Sequence, residues 1–490
     1  MIVLASGGIH RFQATQGPPS RRMTPTPSPG VPFAATPATA ASGGRGERRA
    51  LWLILGVFVA VGLHHIHSNT LFGQDFDLHS RATELLMQDS GNWFPLDFTN
   101  RPLIYVLGAA GHWLTHGKAP FELAAVICVL LNALALYFAH DSTRRFIASP
   151  WLRIGAVAFI AFLPATQVAA VVYAEDAVGP LPFALAAWGL LRSLESVSIR
   201  ASLGYAVLAG LALCAGDFAK FLFIVQPLAG AVAIALAWRG QRISWRRGVA
   251  IGALALLAPI LTGGWIQLRA ERHFAGVPKH HSFAWQGTGE MTWADLLLVK
   301  PSDRRILAAP GYWDIVMING QDEYALSQNH DYSYPALLHL GIYTDVLDYA
   351  GGGQLKDLPP RPEPQKSWSR WAVRLGVLSS VSIFLAVLAF VARMAAALVK
   401  PRLTPANGVL VWGLMALAWY LPLFLSFPYL HHVYEWGYWL PRLVIPALWG
   451  FGLLFFAAAD GRLAPHRRLP ALLACLVLLQ AVLHIRSLWY

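Results

Sequence analysis

Residues 102–117 read PLIYVLGAAGHWLTHG, and whether this stretch crosses a bilayer decides how often the whole chain does. It is apolar along its length but shorter than the roughly 20 residues a spanning helix needs. Counting it as a span would invert every loop that follows. We therefore read it as an interfacial or re-entrant helix on the outer face of a membrane.

Working outward, apolar stretches of spanning length recur near 51–69, 120–140, 154–173, 178–194, 201–216, 219–238, 247–267, 372–398, 408–427, 439–459 and 468–487. With 102–117 left out, Arg144, Arg145 and Arg153, then Arg192 and Arg200, then Arg239, Arg242, Arg246 and Arg247 fall on one side. Arg393, Lys400, Arg402, Arg462, Arg467 and Arg468 join them, and Lys220 is the exception among the short loops opposite. Eleven spans obey the positive-inside rule at every loop. The expectation is an all-α polytopic membrane protein of about 11 transmembrane helices.

Composition agrees. The 490 residues are 56% hydrophobic and 13% charged, about half the charge of a soluble domain. A soluble enzyme is excluded. Net charge of +12 follows from the basic inner loops, so nucleic acid is not an expected partner. Cys128, Cys214 and Cys475 all sit in apolar runs, which excludes a disulfide scaffold or a CxxC site.

Residues 1–50 are rich in Pro, Ala, Thr, Gly and Ser and read as a disordered cytoplasmic tail without a cleaved signal peptide. Residues 51–268 then form a transmembrane module that includes a first outer loop at 70–118. Residues 269–370 form a mixed extracytoplasmic cap, and 371–490 hold the C-terminal helices.

The chemistry concentrates in residues 73–105, GQDFDLHSRATELLMQDSGNWFPLDFTNRPLIY. Asp75 and Asp77 stand where the first span ends. Leu78, Ala82, Leu85 and Leu86 then share one helix face, with Arg81, Glu84 and Asp89 opposite, so a surface helix is expected over 77–89. Carboxylates at that boundary suit a general base serving a lipid-borne substrate. They equally suit capping of the surface helix.

This stretch resembles the first extracytoplasmic loop of the GT-C membrane glycosyltransferases, in the protein O-mannosyltransferase and aminoarabinose (lipid A) transferase branch. The matching residues are Asp75, Ala82 to Leu86, Gly91, Trp93, Pro95 and Arg101-Pro102. The resemblance implies that Asp75 is the catalytic carboxylate and that Arg101 contacts a lipid phosphate. Asp77 departs from the family's acidic pair, because Phe76 intervenes. His79 occupies a slot often held by Tyr or His. Further matches are Glu175-Asp176 after the third span, Lys220 in Gly216–Lys220, and Arg442 in WLPRLVIP.

Arg101, Lys220 and Arg442 are thus expected to meet a polyprenyl phosphate head group. Alternatively, each is a snorkelling cation among ordinary lipids. His79, Glu175, Asp176, Tyr332, Tyr334 and His339 are the expected substrate contacts. Pro335 opens a helix that would hold Tyr332, Tyr334 and His339 as a lid over Asp75, or else simply packs within the cap. Histidines abound at the outer surface without a metal-ligand spacing, so no metal or other cofactor is expected.

The implied activity is transfer of a sugar from a polyprenyl-phosphate donor to a glycan, lipid or protein acceptor. It would occur at the outer face of a bacterial inner membrane. The alternatives are a transporter or flippase of lipid-linked saccharide, and a non-catalytic subunit.

Overall fold

The computed structural model describes residues 44–67, 76–90, 101–273, 298–309, 333–344, 363–430, 441–463, 466 and 468–488. Asp75 and Tyr332 fall outside them, as do the side chains of Asp77 and Arg442.

The described residues are helical, without a strand. The helices are α1 (Arg45–His67), α2 (Phe76–Gln88), α3 (Leu103–Thr115), α4 (Pro120–Thr143), α5 (Pro150–Ala161), α6 (Pro164–Val171), α7 (Pro180–Glu195) and α8 (Ile199–Ala219). They continue with α9 (Gln226–Arg239), α10 (Trp245–His273), α11 (Tyr334–Tyr343), α12 (Glu363–Val399), α13 (Asn407–Leu430), α14 (Ile445–Leu463) and α15 (Leu469–Leu488). Proline opens α4, α5, α6 and α7, where its missing N–H costs nothing. Pro164 also forbids α5 from continuing: Leu163 before it is extended, and α5 and α6 meet at 56°.

The chain is an integral membrane protein. Nine helices among the described residues are long and apolar enough to cross a bilayer, and ten if the bent α5–α6 pair is one span. The remaining expected span is represented by α14, which carries Asp460 and Arg462 near its end and is not among the nine. Its other side chains are nearly all buried by protein, Trp449 completely. By contrast α12 presents Leu378, Val381, Phe384, Leu385 and Leu388 outward, as a lipid-facing helix would.

The expected inner arginines gather at one end of the bundle and tie helix termini and loops together there. Arg153 at the start of α5 makes a bidentate pair with Glu47 of α1, at 2.8 and 2.7 Å, and its remaining nitrogen reaches the carbonyls of Ile147 and Ala148 at 3.0 Å. Arg247 of α10 donates to the carbonyls of Ser193 and Ser196 at the end of α7, and Arg242 to Thr404, Pro405 and Asn407 before α13. Asp460 near the end of α14 accepts from the amides of Ala148 and Ser149 at 2.8 and 3.0 Å, capping α5. Alternate helix ends therefore meet at this face.

At the opposite end, α3 has 13 residues and so spans only about 20 Å. It is too short to cross. Its buried face (Ile104, Tyr105, Gly108, Gly111) packs on α2 and α4, while Val106, Trp113 and Leu114 are exposed. Ala82 and Leu86 of α2 are buried and Arg81, Glu84 and Asp89 exposed, as the amphipathic pattern requires, but the apolar face lies on α3 rather than on lipid.

Helix α10 runs on to His273 and α12 starts at Glu363, so both continue past the spans read from hydropathy. At 37 residues α12 is about 55 Å long, well beyond the ~30 Å of a hydrocarbon core. The described parts of the cap include the 3-10 helix Pro301–Ala308 and α11.

Candidate functional site

The α6–α7 junction creates the site. After Val171 the chain runs extended through Val172 and Ala174, makes a 3-10 turn at Glu175–Ala177, and re-enters a helix at Pro180. That break carries two carboxylates into the bundle: Glu175 is 9% exposed and Asp176 6%. Lys220, just past the end of α8, has extended backbone angles (φ −156°, ψ 141°). Its ammonium sits 3.1 Å from Glu175 Oε1 and pairs with Asp176 Oδ1. The turn from α8 to Lys220 depends on Gly216, because the Phe223 ring fills the space a side chain there would need.

Arg101 comes from the start of α3. It is buried, and its backbone N–H donates to Glu175 Oε2 at 3.3 Å. Glu175 thus joins the chain before α3 to the end of α8.

The residue before the acidic turn fixes its other flank. Tyr173 reaches Thr83 of α2 at 2.7 Å and the Ile104 carbonyl of α3 at 3.1 Å, and Thr83 in turn contacts the His79 carbonyl at 3.0 Å. Two hydroxyl protons serve these three contacts. Burial raises the Tyr173 phenol above its usual range, so it stays protonated and available to donate. Its ring packs on Phe121 (4.8 Å) and Phe76 (6.2 Å). Phe76 is the residue that separates Asp75 from Asp77, and this aromatic cluster anchors the start of α2. His79 shares a 3.0 Å hydrogen bond with Tyr105.

Beyond the turn, Asn132 of α4 donates to the Ala177 carbonyl at 2.7 Å and to Cys128 in its own helix at 2.8 Å. Asp217, one turn before Lys220, is also buried.

Of the residues expected from the sequence, the structure brings together Arg101, Lys220, Glu175 and Asp176, with His79 linked to them through α2 and α3. Lys220 is already held by two carboxylates rather than presented alone to a phosphate. The backbones of Asp77 and Arg442 are placed in α2 and in the 3-10 turn Pro441–Val444. Tyr334 and His339 are occupied elsewhere. Tyr334 is buried against Phe424 at 6.2 Å, and His339 meets Ser380 Oγ and the Val373 carbonyl of α12, both at 2.9 Å. Helix α11 is thereby a packed element, with Leu337 and Leu340 fully buried.

Sequence reading missed Asn132, Tyr173 and Asp217. For Asn132 and Asp217 the available signal was a lone amide or acid inside an apolar run, which in a membrane demands a partner. Among the described residues no three His, Cys, Asp or Glu side chains are placed to share a metal ion.

Chemically, the cluster offers two cations and two carboxylates shielded from bulk water, near the helix that carries Asp77. Fixed charges in such a place act strongly on any anion or hydroxyl admitted to it.

No protein-family model matches the chain, and no curated protein matches it by sequence. Solved structures do. The Saccharomyces cerevisiae protein O-mannosyltransferase Pmt1–Pmt2 complex bound to its sugar donor aligns with 50% of this chain and 36% of its own, at 16% identity and a TM-score of 0.38. ArnT of Cupriavidus metallidurans bound to undecaprenyl phosphate aligns with 85% of this chain and 77% of its own, at 17% identity and a TM-score of 0.37. The Archaeoglobus fulgidus oligosaccharyltransferase in its apo form aligns with 90% of this chain and 56% of its own, at 13% identity and a TM-score of 0.46. The chain thus spans about a third of the mannosyltransferase chain and just over half of the oligosaccharyltransferase.

Proposed function

We propose that this protein is an integral-membrane glycosyltransferase that moves a sugar from a polyprenyl-phosphate donor to an acceptor on the extracytoplasmic face. The observation that carries the reading is the buried convergence of Arg101, Lys220, Glu175 and Asp176 at the bundle end opposite the arginine-rich face. Burying several ionised groups costs several kcal/mol each and adds little stability over an apolar core. A charged cluster kept at that expense suits a head group and a reacting hydroxyl.

In the proposed reaction the acceptor hydroxyl oxygen attacks the anomeric carbon as the bond to the donor phosphate oxygen breaks, with inversion. The hydroxyl proton passes to Asp75, supported by Asp77. The polyprenyl phosphate leaves as an anion and needs no added proton. Its charge is met by Arg101 and Arg442, a guanidinium being able to hold two phosphate oxygens at once. Lys220 acts one step back, holding Glu175 and Asp176 in place so that they accept hydrogen bonds from the sugar. His79 holds Tyr105 and the α2–α3 pair beneath it. The positive-inside rule puts the arginine-rich end in the cytoplasm and the cluster on the outer side.

The test is transfer by purified protein in detergent, with Asp75→Asn and Asp75→Ala beside the wild type. Loss of about 10²–10⁴ in rate is expected for both. Full activity in both removes Asp75 from the mechanism. A transporter of lipid-linked saccharide is the second reading, and the 56° break between α5 and α6 favours it, since transporters use discontinuous helices. Detergent micelles have no two sides, so turnover there belongs to the enzyme alone.

A further inference from the structure

Gln226 opens α9 one 3-10 turn beyond Lys220, inside a candidate membrane span. It is 1% exposed, and among the described residues neither its Oε1 nor its Nε2 has a hydrogen-bond partner. Leaving a buried polar group unsatisfied costs about 1–3 kcal/mol. Gln226 borders a cavity between α7, α8, α9, α10 and α13, whose wall includes Leu213, Gly230, Ala255, Leu256 and Met415. Apart from Gln226 the lining residues are all Ala, Gly, Leu or Met, and the space suits about one molecule the size of water.

Helix α10 brings a second polar group to the same cavity. Pro259 lies inside α10 and has no N–H for the carbonyl four residues earlier, which is that of Ala255. Ala255 lines the cavity, and its carbonyl oxygen faces α8, 3.3 Å from where a Cβ on Gly210 would stand. Proline is tolerated inside a membrane helix where a neighbouring group or an ordered water supplies the missing donor.

We propose that the junction of α8, α9 and α10 is a hydration site for one water molecule, held by Gln226 and the Ala255 carbonyl. The water accepts from Gln226 Nε2 and donates its two hydrogens to Gln226 Oε1 and Ala255 O. Those are the three bonds a buried water typically makes. A metal cation would need more oxygen ligands than these two. The water mends the gap that Pro259 leaves in α10 and fixes the start of α9, from which the turn bearing Lys220 extends. The assignment stands independently of the glycosyltransferase reading.

The experiment is X-ray hydroxyl-radical footprinting of the full-length protein in detergent, read by mass spectrometry at Met415. Irradiation turns a bound water into a hydroxyl radical where it stands, and an adjacent thioether then becomes a sulfoxide. Met415 is only 2% exposed, so hydrogen peroxide in the bulk should leave it intact while irradiation oxidises it. Gln226→Leu removes both carboxamide partners, and labelling of Met415 should then drop to background. Pro259→Ala returns an N–H to the Ala255 carbonyl and should reduce it as well. Met87, at 43% exposed, should be labelled equally in all three proteins. Thermal unfolding shows which variants are folded. An unlabelled Met415 in irradiated wild type overturns the site, as does undiminished labelling in a folded Gln226→Leu protein. Should neither variant fold, the wild type decides alone: labelling by irradiation without labelling by peroxide supports the water, and labelling by both overturns it.

Discussion

The hydroxyl of Tyr173 occupies the space that a Cβ on Gly108 would take, so α3 can approach the acidic turn only with glycine at that position. The contact lets Tyr173 reach the Ile104 carbonyl one turn earlier in α3 and Thr83 in α2. Gly108→Ala would gain about 1 kcal/mol of helix propensity. It must also push out a hydroxyl held by two partners, and overpacking of that kind costs about 1–3 kcal/mol. We expect lower thermal stability and reduced transfer. Gly56→Ala in α1, which meets nothing within 4 Å, should leave transfer unchanged and raise stability by up to about 1 kcal/mol. Unaltered stability and transfer in Gly108→Ala would show that Tyr173 does not need this approach.

Lys220 lies between Glu175 and Asp176, and its removal would leave two buried carboxylates facing each other. Breaking one side of a buried pair typically costs about 3–5 kcal/mol. Lys220→Met should therefore unfold well below the wild type, and adding Asp176→Asn should restore part of the loss. Thermal unfolding in detergent gives both numbers. A double variant no more stable than Lys220→Met would mean that the ammonium does not serve to neutralise Asp176.

The all-helical architecture was readable because lipid imposes long apolar runs and the basic loops fix their direction. The same pattern carried α2, whose apolar stripe survives with a different neighbour: Ala82 and Leu86 bury against α3 instead of lipid. Hydropathy could not supply the partners of individual polar groups. Lys220 reads as a free outer cation, because nothing in GDFAK reveals that Glu175 and Asp176, 45 and 44 residues earlier, fold back onto it. Asn132 and Tyr173 were missed for the same reason, since their contacts join α4 to a turn and that turn to α2 and α3. The lid expected over 328–341 rested on a proline and an apolar face, and such a pattern fits a packed helix equally well. Tyr343 lies over Gly376 of α12, a packing that both arrangements allow.

His339 gives a pH signature for that packing. Burial holds its imidazole down at about 4 against an ordinary 6.5, the Val373 carbonyl opposing this in part. The unfolded chain therefore binds the proton more readily than the folded one. Stability is complete above pH 6.5 and falls as pH drops from 6.5 toward 4. The loss attributable to this residue is on the order of 2–3 kcal/mol. His339→Gln should have a flatter profile across that window, measured as melting temperature against pH. Equal slopes in the two proteins would exclude His339 as the titrating group.

The last expectation concerns sidedness, and α3 decides it. At 13 residues, with Trp113 and Leu114 exposed and a left-handed His116 closing its end, α3 turns straight into α4 without crossing. The close approach of α3 to α4 is possible because Gly111 has no side chain to strike the Pro120 carbonyl. The ends of α1 and α3 and the start of α4 therefore share one side, together with Lys220 and Glu175. Arg153, Arg242, Arg247 and Asp460 share the other, where they bind backbone groups in the α4–α5 loop, at the end of α7 and just before α13. Reporter fusions after Gly117 and near Gly352 should read extracytoplasmic, and fusions after Arg145 and Arg247 cytoplasmic. A cytoplasmic signal at Gly117 alone would make α3 a crossing helix and separate Arg101 from the outer surface. A signal inverted at all four positions would preserve the bundle and move the site to the cytoplasmic face, contradicting donor use outside the cell.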